Sequence, residues 1–394
     1  MAEVRDVVVV GAGPVGLLTA LGVAKAGASV TVVEAEPCIN DSPRAAVYFP
    51  TTLKTLDRLG LLPDVLEIAF LSKSFCFHLL ATREVARIAD TFPPNSPHPY
   101  NAHFGQHVLA RLVLKHFSKL PGAEMRWSNR LIALTQDGKG VALTVETPQG
   151  REEIRARWVV GADGACSTVR GLLDLPFEGH TWPERFVATN VRYPFENYGF
   201  EPANMLADAE NWAVVARLGK EDLWRVTFAE DAELPENEAG RRIPERYRIL
   251  LPDLKVRYEV VQFSPYRVHE RCAPTFRVGR ALLAGDAAHA CNPCGGMGLT
   301  SGVIDAAALG DVLSAVIAGR VPESALDFYS TERRRVFLEV CSPIATDFKR
   351  RISEKDPARQ RADFEEFRRD ANLPERKSLM TALSKLVEGQ PMPV

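Results

Sequence analysis

The chain has 394 residues, more than a single hydrophobic core usually serves, so two interleaved domains are expected. Its 46% hydrophobic and 25% charged content is that of a globular enzyme, and a net charge of −2 excludes bulk attraction to nucleic acid or to an acidic membrane. Seven cysteines, odd in number and scattered from Cys38 to Cys341, read as reduced thiols, which points to the cytoplasm.

Val7-Val8-Val9-Val10 is a continuous apolar run, as expected of a parallel strand buried on both faces. Because this strand starts by about residue 6, no cleavable signal is expected, and no apolar run approaches the ~20 residues of a membrane span. Leu17 to Lys25 follows at helical spacing and stops at Gly27, and Ser29 to Val33 is the next strand, ending at Glu34. Together they form a nucleotide-binding βαβ unit. Thr51 to Gly60 reads as a helix, residues 72–90 alternate as sheet, Pro93, Pro94, Pro97 and Pro99 mark an irregular loop, and residues 106–118 read as a helix. Hairpins are expected around Gly138 and Gly150. From 181 to 275 the pattern is strand-rich, with strands over Phe186–Tyr193, Trp212–Leu218, Leu223–Ala229 and Arg257–Phe263. Asp305 to Arg351 reads as mainly helical, and Lys377–Val387 as an amphipathic helix that docks on its own domain.

Gly11, Gly13 and Gly16 form a G-x-G-x-x-G turn between a strand and a helix. The first glycine permits the tight turn, the second lets backbone approach a pyrophosphate, and the third lets helix and strand pack closely. A diphosphate is then held at a helix N-terminus, and Glu34 is placed to accept hydrogen bonds from ribose hydroxyls. These features do not separate FAD from NAD.

Two later segments do, by resemblance. Val159-Val160-Gly161-Ala162-Asp163-Gly164, with Ser167 and Arg170, and Gly285-Asp286-Ala287-Ala288-His289, with Pro293 and Gly295-Gly296-Met297-Gly298-Leu299, resemble the two later motifs of the class A flavoprotein monooxygenases, the para-hydroxybenzoate hydroxylase-like family. Ser42-Pro43-Arg44-Ala45 and Phe104-Gly105-Gln106 fall where that family keeps an arginine and an FAD-binding glutamine. The resemblance implies an α/β fold: a Rossmann-like FAD-binding domain (1–71, 100–180, 276–335) with an inserted antiparallel-sheet substrate domain of α+β type (72–99, 181–275) and a helical C-terminal segment (336–394). It implies FAD contacts from Gly11, Gly13, Pro14, Val15, Gly16, Glu34, Ala35, Arg44, Gln106, Asp163, Asp286, Gly296, Gly298, Leu299 and Thr300. Thr300 stands where the family often has asparagine. Pro293, Gly298 and Leu299 would border the reacting edge of the flavin, the last two through backbone N–H groups that stabilise its reduced anion.

The reaction so implied is an NAD(P)H-using monooxygenation. Reduced nicotinamide, bound transiently, reduces FAD; O2 adds at flavin C4a; and one oxygen passes to an aromatic, phenolic substrate. His78, Tyr193, Trp212, Arg217 and Trp224, on the sheet segments, are the candidate substrate contacts. His289 reads as structural, and Cys291-Asn292-Pro293-Cys294 as a packing element rather than a dithiol or half of a metal site. No metal, nucleic-acid or membrane partner is expected, and the protein is expected to act as a monomer or homodimer. The alternatives are an FAD-dependent reductase or dehydrogenase on the same fold, and a non-catalytic flavin-binding protein. A flavin halogenase is disfavoured because the chain has no Trp-x-Trp-x-Ile-Pro segment.

Overall fold

The computed structural model describes residues 4–89, 92, 96–371 and 386–394. At its centre the buried strand Arg5–Val10 pairs in parallel with Val30–Val33 on one side and with the end of Gly150–Gly161 on the other. The sheet continues outward, again in parallel, through Ala123–Arg126 and Ala281–Leu283. Valines at 7 to 9 and at 30, 32 and 33 have no exposed surface, because helices cover both faces. The meander Arg130–Gln136, Val141–Thr147 and Gly150–Gly161 contains both expected hairpins.

Register decides where the three glycine motifs end up. Val10 pairs with Gly161, and Gly161 with Leu283, so the turns that follow these parallel strands all leave the same edge of the sheet. Ala162 N donates to Val10 O at 2.8 Å and Ala284 N donates to Gly161 O at 3.0 Å, which ties the three segments side by side. Ligands of open parallel sheets bind at this carboxyl edge.

A second sheet has the strand order His289–Ala290, Glu259–Cys272, Glu178–Arg192, Trp224–Asp231, Ala213–Arg217, Ala203–Ala207, Ser74–Leu79 and Glu84–Ala89. It departs from the expected antiparallel sheet at one joint, where Asn204–Ala207 runs parallel to Cys76–Leu79. It also recruits His289–Ala290 from the late motif. The helix Ala239–Leu250 was not anticipated. Pro244 and its many charges mask the spacing of Ala239, Ile243, Tyr247 and Leu250, the side chains it buries against this sheet.

The long helix of the late motif is Met297–Ile317. It has no unbroken apolar run, yet it is long and apolar enough on average to cross a membrane, with mean hydropathy 1.5; 83% of that window is buried inside the protein. Helices Ala325–Val336, Ser342–Ile352 and Pro357–Ala371 follow. Pro93, Pro94 and most of the Lys377–Val387 segment lie outside the described residues.

Candidate flavin and substrate cleft

The early turn is held by contacts only glycine allows at two of its three positions. Gly11 has φ +107°, and a Cβ there would lie 2.4 Å from Ala162 O; at Gly16 it would lie 2.1 Å from Gly11 O. Gly13 differs: a Cβ at that position meets no atom within 4 Å. It is the N-cap of helix Pro14–Lys25, without a side-chain cap and without an acid in the first turn. The helix therefore presents open N–H groups and a positive dipole end. Glu34 accepts hydrogen bonds from Ala12 N (2.7 Å) and Glu36 N (3.0 Å), bracing the turn, with Ala35 beside it.

In the middle motif Asp163 accepts from the Ser167 hydroxyl and from Thr168 N and Val169 N at 2.5–3.1 Å, so its carboxylate organises its own loop. Burial raises its pKa, and these hydrogen bonds oppose that shift. Arg170 then donates to Ala165 O (2.7 Å) and across to Ala287 O (2.9 Å), lacing the middle motif to the late one.

In the late motif a Cβ at Gly285 would lie 2.9 Å from the Val15 side chain, and one at Gly302 2.8 Å from it. Gly295 and Gly296 have φ of +86° and +71° and deliver the chain into helix Met297–Ile317, which again has neither a side-chain cap nor a first-turn acid. Thr300 turns its hydroxyl back to Gly296 O at 2.7 Å, so where asparagine would reach outward this side chain is spent within its own helix. His289 bonds Asp305 at 2.6 Å in a buried cluster with Arg333 and is not on the cleft wall.

Between the two sheets runs a cleft of about 850 Å³. Of the residues expected at the cofactor, Gly13, Pro14, Val15, Arg44, Gln106, Asp163, Asp286, Gly296, Gly298 and Leu299 line it, as does Pro293. Gly11, Gly16, Glu34, Ala35 and Thr300 are not on its wall. Surrounding protein raises the Asp286 carboxyl pKa, although its side chain is open to the cleft.

The five candidate substrate residues do not line the cleft. Tyr193 and Trp224 belong to the core on the far face of the second sheet, under helix Ala239–Leu250. His78 bonds Asn204 at 3.1 Å and packs on Phe200, and Arg217 lies over Phe70 and Trp224. Trp212 packs behind Phe186, with the Lys349 ammonium 4.9 Å over its ring. For His78, Tyr193, Arg217 and Trp224 the physical reason is the period of two in a strand: they point to the face opposite the cleft and their alternating neighbours face the cleft, whereas Trp212 precedes strand Ala213–Arg217. Those neighbours are Phe75, Phe186, Val214, Ala216, Arg225 and Thr227, with Met205 and, from a later helix, Phe348. The alternation around Trp224-Arg225-Val226-Thr227 was the available signal.

Arg225 is 4% exposed and donates Nε–H to Asn190 Oδ1 at 2.9 Å, while its Nη1 has no partner among the described residues. Burial lowers its pKa to about 10, so it stays cationic at neutral pH. No comparable work falls to the cysteines: Cys291 reaches the cleft wall, and Cys294 is fully buried, its thiol pushed up to about 12 by burial. Cys294→Ser is expected to keep its flavin, at about 1–3 kcal/mol for a newly buried hydroxyl; flavin absorbance and denaturant unfolding check both.

The glycine cradle and two uncapped helix starts fit a dinucleotide carrying a diphosphate and a ring that gains negative charge on reduction. That defines a flavin-type oxidoreductase. Residues 5–342 match a family model described as an FAD binding domain. The chain is 45% identical over 371 residues to para-nitrophenol 4-monooxygenase from Pseudomonas sp. (strain WBC-3), covering 93% of this chain and 92% of that one. It is 40% identical to 6-hydroxy-3-succinoylpyridine 3-monooxygenase HspB from Pseudomonas putida (strain DSM 28022 / S16), covering 92% and 93%. The crystal structure of p-nitrophenol 4-monooxygenase PnpA from Pseudomonas putida DLL-E4 superposes with a TM-score of 0.94 at 42% identity, covering 99% of this chain and all of that one. The chain belongs to the class A flavoprotein monooxygenases, the FAD-dependent aromatic hydroxylases.

Proposed function

We propose that this enzyme hydroxylates a para-substituted phenol of the nitrophenol type, with NAD(P)H as reductant. The observation that carries the reading is the second sheet's cleft face: an apolar slot of Phe75, Phe186, Met205, Val214 and Ala216 with one buried, incompletely paired cation, Arg225. Such a slot accepts a flat ring, and the guanidinium favours negative charge on the ring system it faces, which makes a phenol more electron-rich. The likeness to para-nitrophenol 4-monooxygenase supports the same substrate class.

Bound in the cleft, FAD supplies hydride acceptance from the nicotinamide and activation of O2 for transfer of one oxygen atom. The protein's part is binding, orientation and exclusion of water. The first-turn N–H groups after Gly296 stabilise charge on the flavin edge, Pro293 borders that edge, and the early helix start holds the diphosphate. Gln106 and Arg44 hold the ribityl and phosphate portions, and Asp286 binds alongside them. Exposed Arg267 at the cleft mouth suits a phosphate of a transiently bound nicotinamide dinucleotide. The division into an FAD-binding part (1–71, 100–180, 276–335), a substrate part (72–99, 181–275) and a C-terminal segment describes the working units. Seven free cysteines suit a reducing, cytoplasmic setting, and action as a monomer or homodimer is part of the same reading.

The test is a panel of para-substituted phenols, scored for stimulated NADH and NADPH oxidation and for product carrying one atom from ¹⁸O2. One labelled oxygen per product is expected, and product without label, or no phenol that stimulates turnover, would overturn the reading. Arg225→Gln is expected to lower kcat/KM for the best phenol by about tenfold or more, the scale of a lost charge-assisted contact. Steady-state kinetics normalised to bound flavin check this.

A further inference from the structure

The family match ends at residue 342, yet the chain beyond it builds one wall of the cleft. Phe348, on helix Ser342–Ile352, packs against the backbone that follows Pro293, where a Cβ at Gly295 would lie 2.8 Å from its ring. Phe75 faces the same space from the second sheet. Behind both lies Phe367, on helix Pro357–Ala371, which does not line the cleft and is 4% exposed. Its ring stacks on Phe77 (4.4 Å, 19° between planes), meets Phe75 edge-on (6.3 Å, 89°) and lies 6.5 Å from Phe348. The Arg351 guanidinium is 5.3 Å from its centroid. The helix that carries it is pinned by Arg350–Asp363 (2.9 Å), by Arg351–Glu366 (3.0 Å) and by an ion pair between Arg361 and Glu84.

From this geometry we infer that Phe367 is a specificity-determining positioning residue: through Phe75 and Phe348 it sets how large a ring substituent the slot accepts. The argument is one of packing. Core side chains interdigitate at close-packed density, so rings with a third ring lodged behind them cannot retreat from a bulky guest. Shortening Phe367 opens volume behind the wall, into which Phe75 and Phe348 can move. Because Phe367 meets no ligand itself, its effect is on the shape of the slot and not on the flavin. The inference rests on the aromatic-substrate reading above.

The experiment compares kcat/KM for para-nitrophenol with that for a para-tert-butyl or para-phenyl phenol, together with the fraction of NAD(P)H consumed without product. Phe367→Leu is expected to shift the ratio toward the bulky phenol by about tenfold, the discrimination available from one or two carbon groups in an apolar pocket. Phe367→Tyr, which keeps the ring, should retain most of the wild-type ratio. A purely structural role would lower stability and slow all phenols alike. Should the Phe367 variants fail to fold, the surface double variant Arg350→Ala/Arg361→Ala, which loosens the same helix, decides by the same ratio. An unchanged ratio in flavin-loaded variants overturns the inference. A wild type that oxygenates no phenol instead overturns the substrate reading, and this inference falls with it.

Discussion

Gly13→Ala is expected to give a folded protein that no longer retains FAD. The backbone at Gly13 has φ −70° and ψ 171°, a conformation alanine adopts without strain, and a methyl group there meets no protein atom within 4 Å. Folding therefore has no reason to suffer. The space the methyl enters is the space in front of the uncapped helix start, where a diphosphate must approach backbone closely. We expect FAD affinity to fall by about 100-fold, equivalent to losing about 2–3 kcal/mol of close polar contact. Gly16→Ala is the contrasting control: its methyl would lie 2.1 Å from Gly11 O, so helix and strand must separate and stability falls along with flavin. Far-UV circular dichroism, unfolding midpoints and bound-flavin absorbance measured on both variants make the distinction. A Gly13→Ala protein purified with full flavin content would refute the placement of the diphosphate.

The second large effect is expected at Asp305, on helix Met297–Ile317. Asp305 is fully buried; it accepts from Arg333 Nε (2.6 Å), bonds His289 (2.6 Å) and accepts from Gly285 N (3.1 Å). Arg333 also donates to Val387 O, so one cluster holds the late motif, two helices and the C-terminal segment together. Asp305→Ala leaves the Arg333 guanidinium buried without its counter-charge, which should cost about 3–5 kcal/mol. The double variant Asp305→Leu/Arg333→Leu should be less destabilised than the sum of its singles, because it removes the orphaned charge. Denaturant unfolding of the four proteins measures this, and additive losses would contradict it.

The same carboxylate has a pH signature. Burial would raise its pKa, but the charges of His289 and Arg333 outweigh that and hold it at about 2. The folded value lies below the unfolded one of about 4, so the group's contribution is complete above pH 4 and is lost as pH falls toward 2. By linkage that amounts to about 2 kcal/mol. Asp305→Ala should therefore flatten the acid limb of stability between pH 4 and pH 2.

Much of the nucleotide half was legible because its signals are local. A glycine at Gly11 or Gly16 is demanded by backbone contacts a few residues away or on the adjacent strand, and continuous valine runs mark strands buried on both faces. The substrate wall was not legible in the same way. Aromatic strand residues read from sequence as candidate contacts, yet Tyr193 and Trp224 serve the core beneath helix Ala239–Leu250, a helix that its charges and Pro244 conceal. Which of two alternating faces meets the cleft depends on what covers the other face, and nothing within the strand itself records that.

The amino-acid order alone determined a dinucleotide site, since a diphosphate cradle at a helix start is built from backbone and needs particular residues at particular spacings, and its resemblance to the class A monooxygenases supplied the cofactor and the reaction class. Tertiary structure decided the rest: that parallel register brings three distant turns to one sheet edge, that Arg225 and not its neighbour Trp224 faces the cleft, and that a helix past residue 342 backs the aromatic wall. These are contacts between residues far apart in the chain, fixed by packing and strand parity rather than by any local motif.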